Sequence, residues 1–135
     1  MPGVNDWLKK ASSDLKSAIK LVDDDDTVDT AIYLTHQCTE KALKAFLVFV
    51  KQPIPRTHNL TYLLMCCAEF DQDFALFQNE CKILNPYGHD SRYPDDYFSV
   101  DQQDLTEAIV MAKKILNFIT QKLQKNEFNI SVFKF

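Results

Sequence analysis

At 135 residues, with 46% hydrophobic and 25% charged side chains, the sequence reads as one folded domain. That composition excludes a disordered chain, and the length excludes dependence on a metal or disulfide staple. Two glycines rule out a GxGxxG or P-loop phosphate cradle, and with only five prolines they leave too few turn-formers for a sandwich or barrel. The net charge of −4 comes with no dense basic patch, which argues against a strong nucleic-acid binder. Asp23, Asp24, Asp25, Asp26 and Asp29 alone exceed that deficit, so the remaining surface is close to neutral. No apolar run approaches the roughly 20 residues of a membrane span, and the N-terminus lacks a signal-peptide core. The expectation is a cytoplasmic protein with no membrane partner. Cys38, Cys66, Cys67 and Cys81 lie in apolar helical stretches without a CxxC pair and read as buried, reduced thiols.

Asn5 and Asp6 are candidate N-caps for a first helix whose apolar face is Leu8, Ala11, Leu15, Ala18, Ile19 and Val22. The aspartate run ends it, because carboxylates repel one another and the negative end of the helix dipole. Asp26 or Thr27 then caps a second helix over 27–52, stopped by Pro53 and Pro55. Its stripe is Ala31, Leu34, Cys38, Ala42, Ala45 and Phe49; its polar flank, Gln37 to Lys51, reads as solvated. A short third helix starts after Asn59, with Leu60, Leu63, Leu64 and Cys67 inward. A fourth starts at Asp71 or Asp73 and carries Phe74, Phe77, Cys81 and Leu84. Residues 85–99 are the least helical. The last helix, 101–125, buries Leu105, Ala108, Ile109, Ala112, Leu116, Ile119 and Leu123. A second stripe on it, Met111, Ile115 and Phe118, faces either another subunit or the core. The expected fold is all-α, an up-and-down bundle of four to five helices over residues 1–126, followed by an apolar tail, 127–135.

Chemistry concentrates in three clusters. The mid-helix group Thr35-His36-Gln37, Glu40-Lys41 and Lys44 reads first as a solvated flank and second as a set of donors for a ligand. In Arg56-Thr57-His58-Asn59, Asn59 is a helix cap and His58 a loop residue, while a cation beside free helical N–H groups also suits an anion. The loop 85–95 combines Tyr87, His89, Arg92 and Tyr93; Arg92 suits bidentate phosphate binding and a tyrosine suits base stacking. The competing reading has both rings pinning the loop onto the bundle. Neither a zinc site nor a catalytic cysteine is expected, because three dispersed histidines and four helical cysteines have no ligand spacing.

Taken together, Trp7…Ala11…Asp14-Leu15…Ala18, His36-Gln37-Cys38-Thr39-Glu40-Lys41-Ala42-Leu43-Lys44-Ala45, Thr57-His58-Asn59-Leu60 and Ser91-Arg92-Tyr93-Pro94-Asp95 resemble the HEPN family of nucleotide-binding domains. The resemblance spans residues 7–123 and implies a helical bundle that forms a symmetric dimer. It also implies a place beside nucleotidyltransferases, in toxin–antitoxin-like pairs, or as a non-catalytic nucleotide- or RNA-binding module. Many members are metal-independent RNases marked by an arginine followed, after four to six residues, by a histidine. Counting from Arg56 reaches Thr61, Tyr62 or Leu63, and from Arg92 it reaches Tyr97, Phe98 or Ser99. The RNase signature is therefore absent, and no catalytic residue is assigned. The functional expectation is a homodimer that binds a nucleotide or RNA, or partners a nucleotidyltransferase, with no cofactor or metal. Its site residues are Arg92, Tyr93, Tyr87, His89, Lys41, Lys44 and His58. The alternatives are a divergent RNase using His89 and Arg92, and a protein-interaction module dimerising through Met111, Ile115 and Phe118.

Overall fold

The structure, a computed structural model, describes residues 2–88 and 99–125. Helix α1 (Val4–Lys20) opens on half of a capping box, the Asp6 carboxylate reaching back to the N-cap, rather than on the predicted Asn5 or Asp6 cap. Gly3 is the N-cap, and its N–H donates to the Asp6 carboxylate at 2.9 Å. Asp6 thus acts from inside the first turn, where a carboxylate also suits the dipole. Leu8, Ala11, Leu15 and Ala18 are buried as the spacing requires, whereas Ile19 is exposed.

After α1 the chain turns through Asp23, whose φ of 73° lies in the left-handed region. Asp24 then caps a 3-10 turn, Asp25–Thr27, by accepting the Asp26 N–H. Gln102, at the start of the last helix, accepts the Asp23 N–H through Oε1 and donates its side-chain amide to Asp25. The acidic run is therefore stitched to the far end of the sequence.

Helix α2 (Val28–Phe49) is the axis of the molecule; it packs against α1 and against the later helices at 60–68 and 102–125. It stops short of the predicted Gln52 because Lys51 adopts φ 61°, and the Gln52 N–H returns to the Leu47 carbonyl at 3.0 Å. The prediction of a solvated polar flank on α2 is corrected in part: Glu40 and Lys44 are buried, with Thr35, His36 and Thr39, whereas Gln37 and Lys41 are half-buried and Lys51 is exposed. Thr35 and Thr39 donate their hydroxyls to the Ile32 and Thr35 carbonyls, so burial leaves neither hydroxyl unbonded.

Helix α3 (Leu60–Ala68) begins at the predicted Asn59 cap, whose Oδ1 accepts the Tyr62 N–H at 3.1 Å. A 3-10 segment (Gln72–Phe77), capped by Asp71, leads into α4 (Gln78–Leu84) and a 3-10 turn (Asn85–Gly88). Leu60, Leu63, Leu64, Cys67, Phe74, Phe77, Cys81 and Leu84 point inward as expected. Helix α5 (Gln102–Lys125) closes the bundle. Its second stripe serves the core: Ile115 is buried, and Phe118 meets Phe74 edge-on at 5.0 Å and Phe77 at 4.6 Å. Among the described residues the fold is all-α with five helices, and no helix is long and apolar enough to cross a membrane. The tail, 127–135, lies outside the described residues.

Candidate functional site

Helix α2 places His36, Glu40 and Lys44 on one face, a turn apart, and the chain beyond it covers that face. Glu40 is almost fully buried and holds two partners at once. One carboxylate oxygen accepts the Lys44 ammonium at 2.9 Å; the other accepts the Nδ1–H of His58 at 2.8 Å. A buried carboxylate demands such pairing, since desolvating an isolated charge costs several kcal/mol, roughly, even after relaxation. Lys44 is enclosed as well, with its Nζ 5.8 Å from the centroid of the Trp7 ring on α1. The Trp7 indole N–H is buried there without an acceptor among the described residues.

His58 differs from its two neighbours in being open to solvent, its side chain 78% exposed. Glu40 fixes the ring through Nδ1, which leaves the Nε2 edge outward among the described residues. Its backbone is fixed too, because the His36 Nε2–H donates to the His58 carbonyl at 2.9 Å. Gln37 donates to His36 Nδ1 at 3.3 Å, so both ring nitrogens of His36 are satisfied by one neutral tautomer.

The same His36 ring meets the turn that follows α4. A Cβ added to Gly88 would sit 2.6 Å from His36 Nε2, so this position admits only a glycine without rearrangement. A second tie runs alongside: Asn85 Oδ1 accepts the Leu60 N–H at 2.9 Å, and its amide donates to Asn59 Oδ1 at 3.3 Å. The start of α3, which carries His58 just ahead of it, is thereby locked to the turn that carries Tyr87. Tyr87 is half-buried, and burial, with the nearby Asp104, Glu107 and Asp101 charges, holds its phenol above the usual range.

Of the residues expected from sequence, the structure brings His58 and Lys44 onto one carboxylate and ties Tyr87 into the same corner. Lys41 turns instead to α1, where its ammonium pairs with Asp14. His89, Arg92 and Tyr93 lie outside the described residues, on the loop that follows Gly88. Sequence reasoning missed Glu40 and His36 as organisers and Trp7 as the ring against Lys44. The available signal was the His36, Glu40, Lys44 spacing, which reads equally well as a surface ion pair.

The three buried thiols add no nucleophile. Burial pushes Cys38 and Cys67 well above the ordinary thiol range and Cys81 up to about 12, so none is thiolate near neutrality. Among the described residues no group of His, Cys, Asp and Glu has the arrangement of a metal site.

No curated protein matches the sequence. Two solved structures resemble it over 91% of this chain. An archaeal HEPN homologue, ST0689, is 29% identical, matched over 99% of its own chain with a TM-score of 0.73. TT1696 from Thermus thermophilus is 27% identical, matched over 100% of its chain with a TM-score of 0.75. The HEPN domain pattern itself matches residues 4–123, nearly the whole bundle, and the chain belongs to the HEPN domain family.

Proposed function

We propose that this HEPN domain binds a nucleotide or RNA without turning it over, on the surface around His58 and Tyr87, with Arg92, Tyr93 and His89 contributed by the following loop. The observation that carries the reading is an exposed imidazole held at one nitrogen by a buried carboxylate. Such a ring presents its second nitrogen in a fixed direction, which lowers the ordering cost of gripping a phosphate oxygen or a base edge. Lys44 and Lys41 enter as supports, because Glu40 and Asp14 already engage their ammonium groups. Arg92 supplies the bidentate phosphate contact and a tyrosine the stacking platform. The domain works in this reading as a homodimer and as the partner of a nucleotidyltransferase, which sedimentation and co-purification test in turn.

Titration with adenine nucleotides and short RNA oligomers tests the binding. Saturable binding, weakened about tenfold or more in His58→Ala and in Arg92→Ala, is expected. No saturable binding, or equal binding by both variants, removes the reading.

The Glu40–His58 pair also favours a second reading, since a carboxylate-oriented imidazole is the arrangement used for proton transfer. RNA cleavage that survives EDTA and disappears in His58→Ala would select a metal-independent RNase over a binding module.

A further inference from the structure

Between α3 and α4 lies a narrow groove of about 260 Å³ that shares no residue with the candidate site. One wall is a single face of α3, formed by Thr61, Leu64, Met65 and Ala68 at spacings of three and four; the other is Gln78 and Lys82, one turn apart on α4. Leu64 is the buried floor, and Met65, 64% exposed, is an adaptable rim. The two ends differ in chemistry. Asn85, which follows α4, accepts the Leu60 N–H at 2.9 Å, so Thr61 and Lys82 share one end. Ala68 and Ala75 make the other end with their methyl groups. Thr61 has already given its hydroxyl proton to Asn59 Oδ1 at 2.7 Å, so it offers no donor to a ligand. Glu80, Asp71 and Asp73, the carboxylates around this stretch of chain, engage Lys114 and Lys122, and among the described residues none pairs with Lys82. Lys82 is therefore the one charge on the lining, at the polar end of an apolar groove.

We propose that the groove binds a medium-chain carboxylate, a single alkyl chain whose tail lies toward Ala68 and Ala75 and whose anionic head sits on Lys82. Charge complementarity selects the head. An ammonium without a carboxylate partner, with the Gln78 amide one turn away as a second donor, suits a carboxylate and offers a neutral head much less. Length selects the tail. From Thr61 to Ala68 the α3 wall advances seven residues at 1.5 Å each, roughly 10 Å, the reach of an extended chain of about eight carbons. Size selects a small molecule over a protein. The groove is smaller than the roughly 300 Å³ at which drug-sized pockets begin. Of the exposed large hydrophobic side chains only Met65 lines it, whereas a stable protein interface covers roughly 800 Å² on each partner.

Titration of the isotope-labelled full chain with sodium octanoate, followed by the NMR shifts of backbone amides, tests the assignment. Saturable shifts confined to α3, α4 and the segment joining them are expected, with a Kd on the order of 1 mM for a ligand of this size. Lys82→Gln should weaken binding about fivefold, the most that an exposed ion pair supplies, and octan-1-ol should bind the wild type weaker than octanoate by a similar factor. Ala75→Asp, at an exposed position, should weaken octanoate about tenfold or more, because it sets a carboxylate against the tail. Butyrate, too short to reach Ala75 from Lys82, should not saturate over the same range. Octanoate shifts that never saturate or that spread over the whole bundle overturn the proposal, as do equal affinities for wild type and Lys82→Gln. Shifts of the same residues on concentrating the protein alone assign the groove to a second copy and overturn it too.

Discussion

Replacing Glu40 by alanine asks whether the buried corner on α2 is what it looks like. The carboxylate and its lysine partner are hidden, their side chains 6% and 9% exposed, and 2.9 Å apart. Removing one member of a buried ion pair strands the other, at a cost of about 3–5 kcal/mol. Lys44 keeps the Trp7 ring against it, and His58 returns its Nδ1–H to water, so the lower end applies: about 3 kcal/mol, or roughly 10 °C in Tm for a domain of this size. Glu40→Gln, which keeps the shape and an acceptor, should lose about half of that. Replacing Glu40 and Lys44 together by methionine should regain most of it, because two apolar side chains of similar size need no charge partner. Urea denaturation monitored by circular dichroism measures all three, with an unchanged m-value showing that the folded and unfolded states are comparable. A loss below about 1 kcal/mol for Glu40→Ala, the range of exposed pairs, would refute the argument.

Three further expectations rest on how tightly the interior is packed. Gly88→Ala drives a methyl group to 2.6 Å from the His36 ring and should destabilise by about 1–3 kcal/mol while shifting the His36 and His58 imidazole resonances; a variant with unperturbed resonances contradicts the close approach. Half-buried Cys66 should alkylate first in the native protein, with Cys38, Cys67 and Cys81 protected until unfolding. The buried thiols ionise in the unfolded chain near the ordinary value of 9.0 but in the folded chain only higher, at about 12 for Cys81, so stability is intact below pH 9 and declines from there upward. Replacing Cys81 by alanine should flatten part of that alkaline slope, and an identical slope would count against it.

Much of the bundle was legible in the sequence because helical spacing reports directly on burial. The stripes Leu8-Ala11-Leu15-Ala18, Leu60-Leu63-Leu64-Cys67 and Leu105-Ala108-Ala112 all turned inward. Ends were less legible. Gly3 rather than Asn5 caps α1, and α2 stops where Lys51 turns left-handed, features set by local backbone geometry rather than by hydrophobic period. The polar corner was invisible for a different reason. Glu40 and Lys44 at helical spacing look the same whether water or protein lies above them, and what lies above is Trp7 from α1 and the chain around His58, contacts made only by the tertiary fold. Phe118 shows the converse: its stripe admitted a subunit or the core, and the rings of Phe74 and Phe77 took it inside.

The exchange between Asn59 and Asn85 has a consequence for how the molecule opens. Both asparagines supply an acceptor that the start of α3 would otherwise lack, Asn59 locally and Asn85 across 25 positions of sequence, and the two side chains bond to each other. If α4 frays, Asn85 leaves and α3 loses the acceptor for its first amide; if α3 unwinds, Asn85 loses its neighbour. The two helices therefore share one breathing motion. A ligand that steadies His58 at one end of this unit would also slow the opening of Tyr87 at the other, without any change of shape.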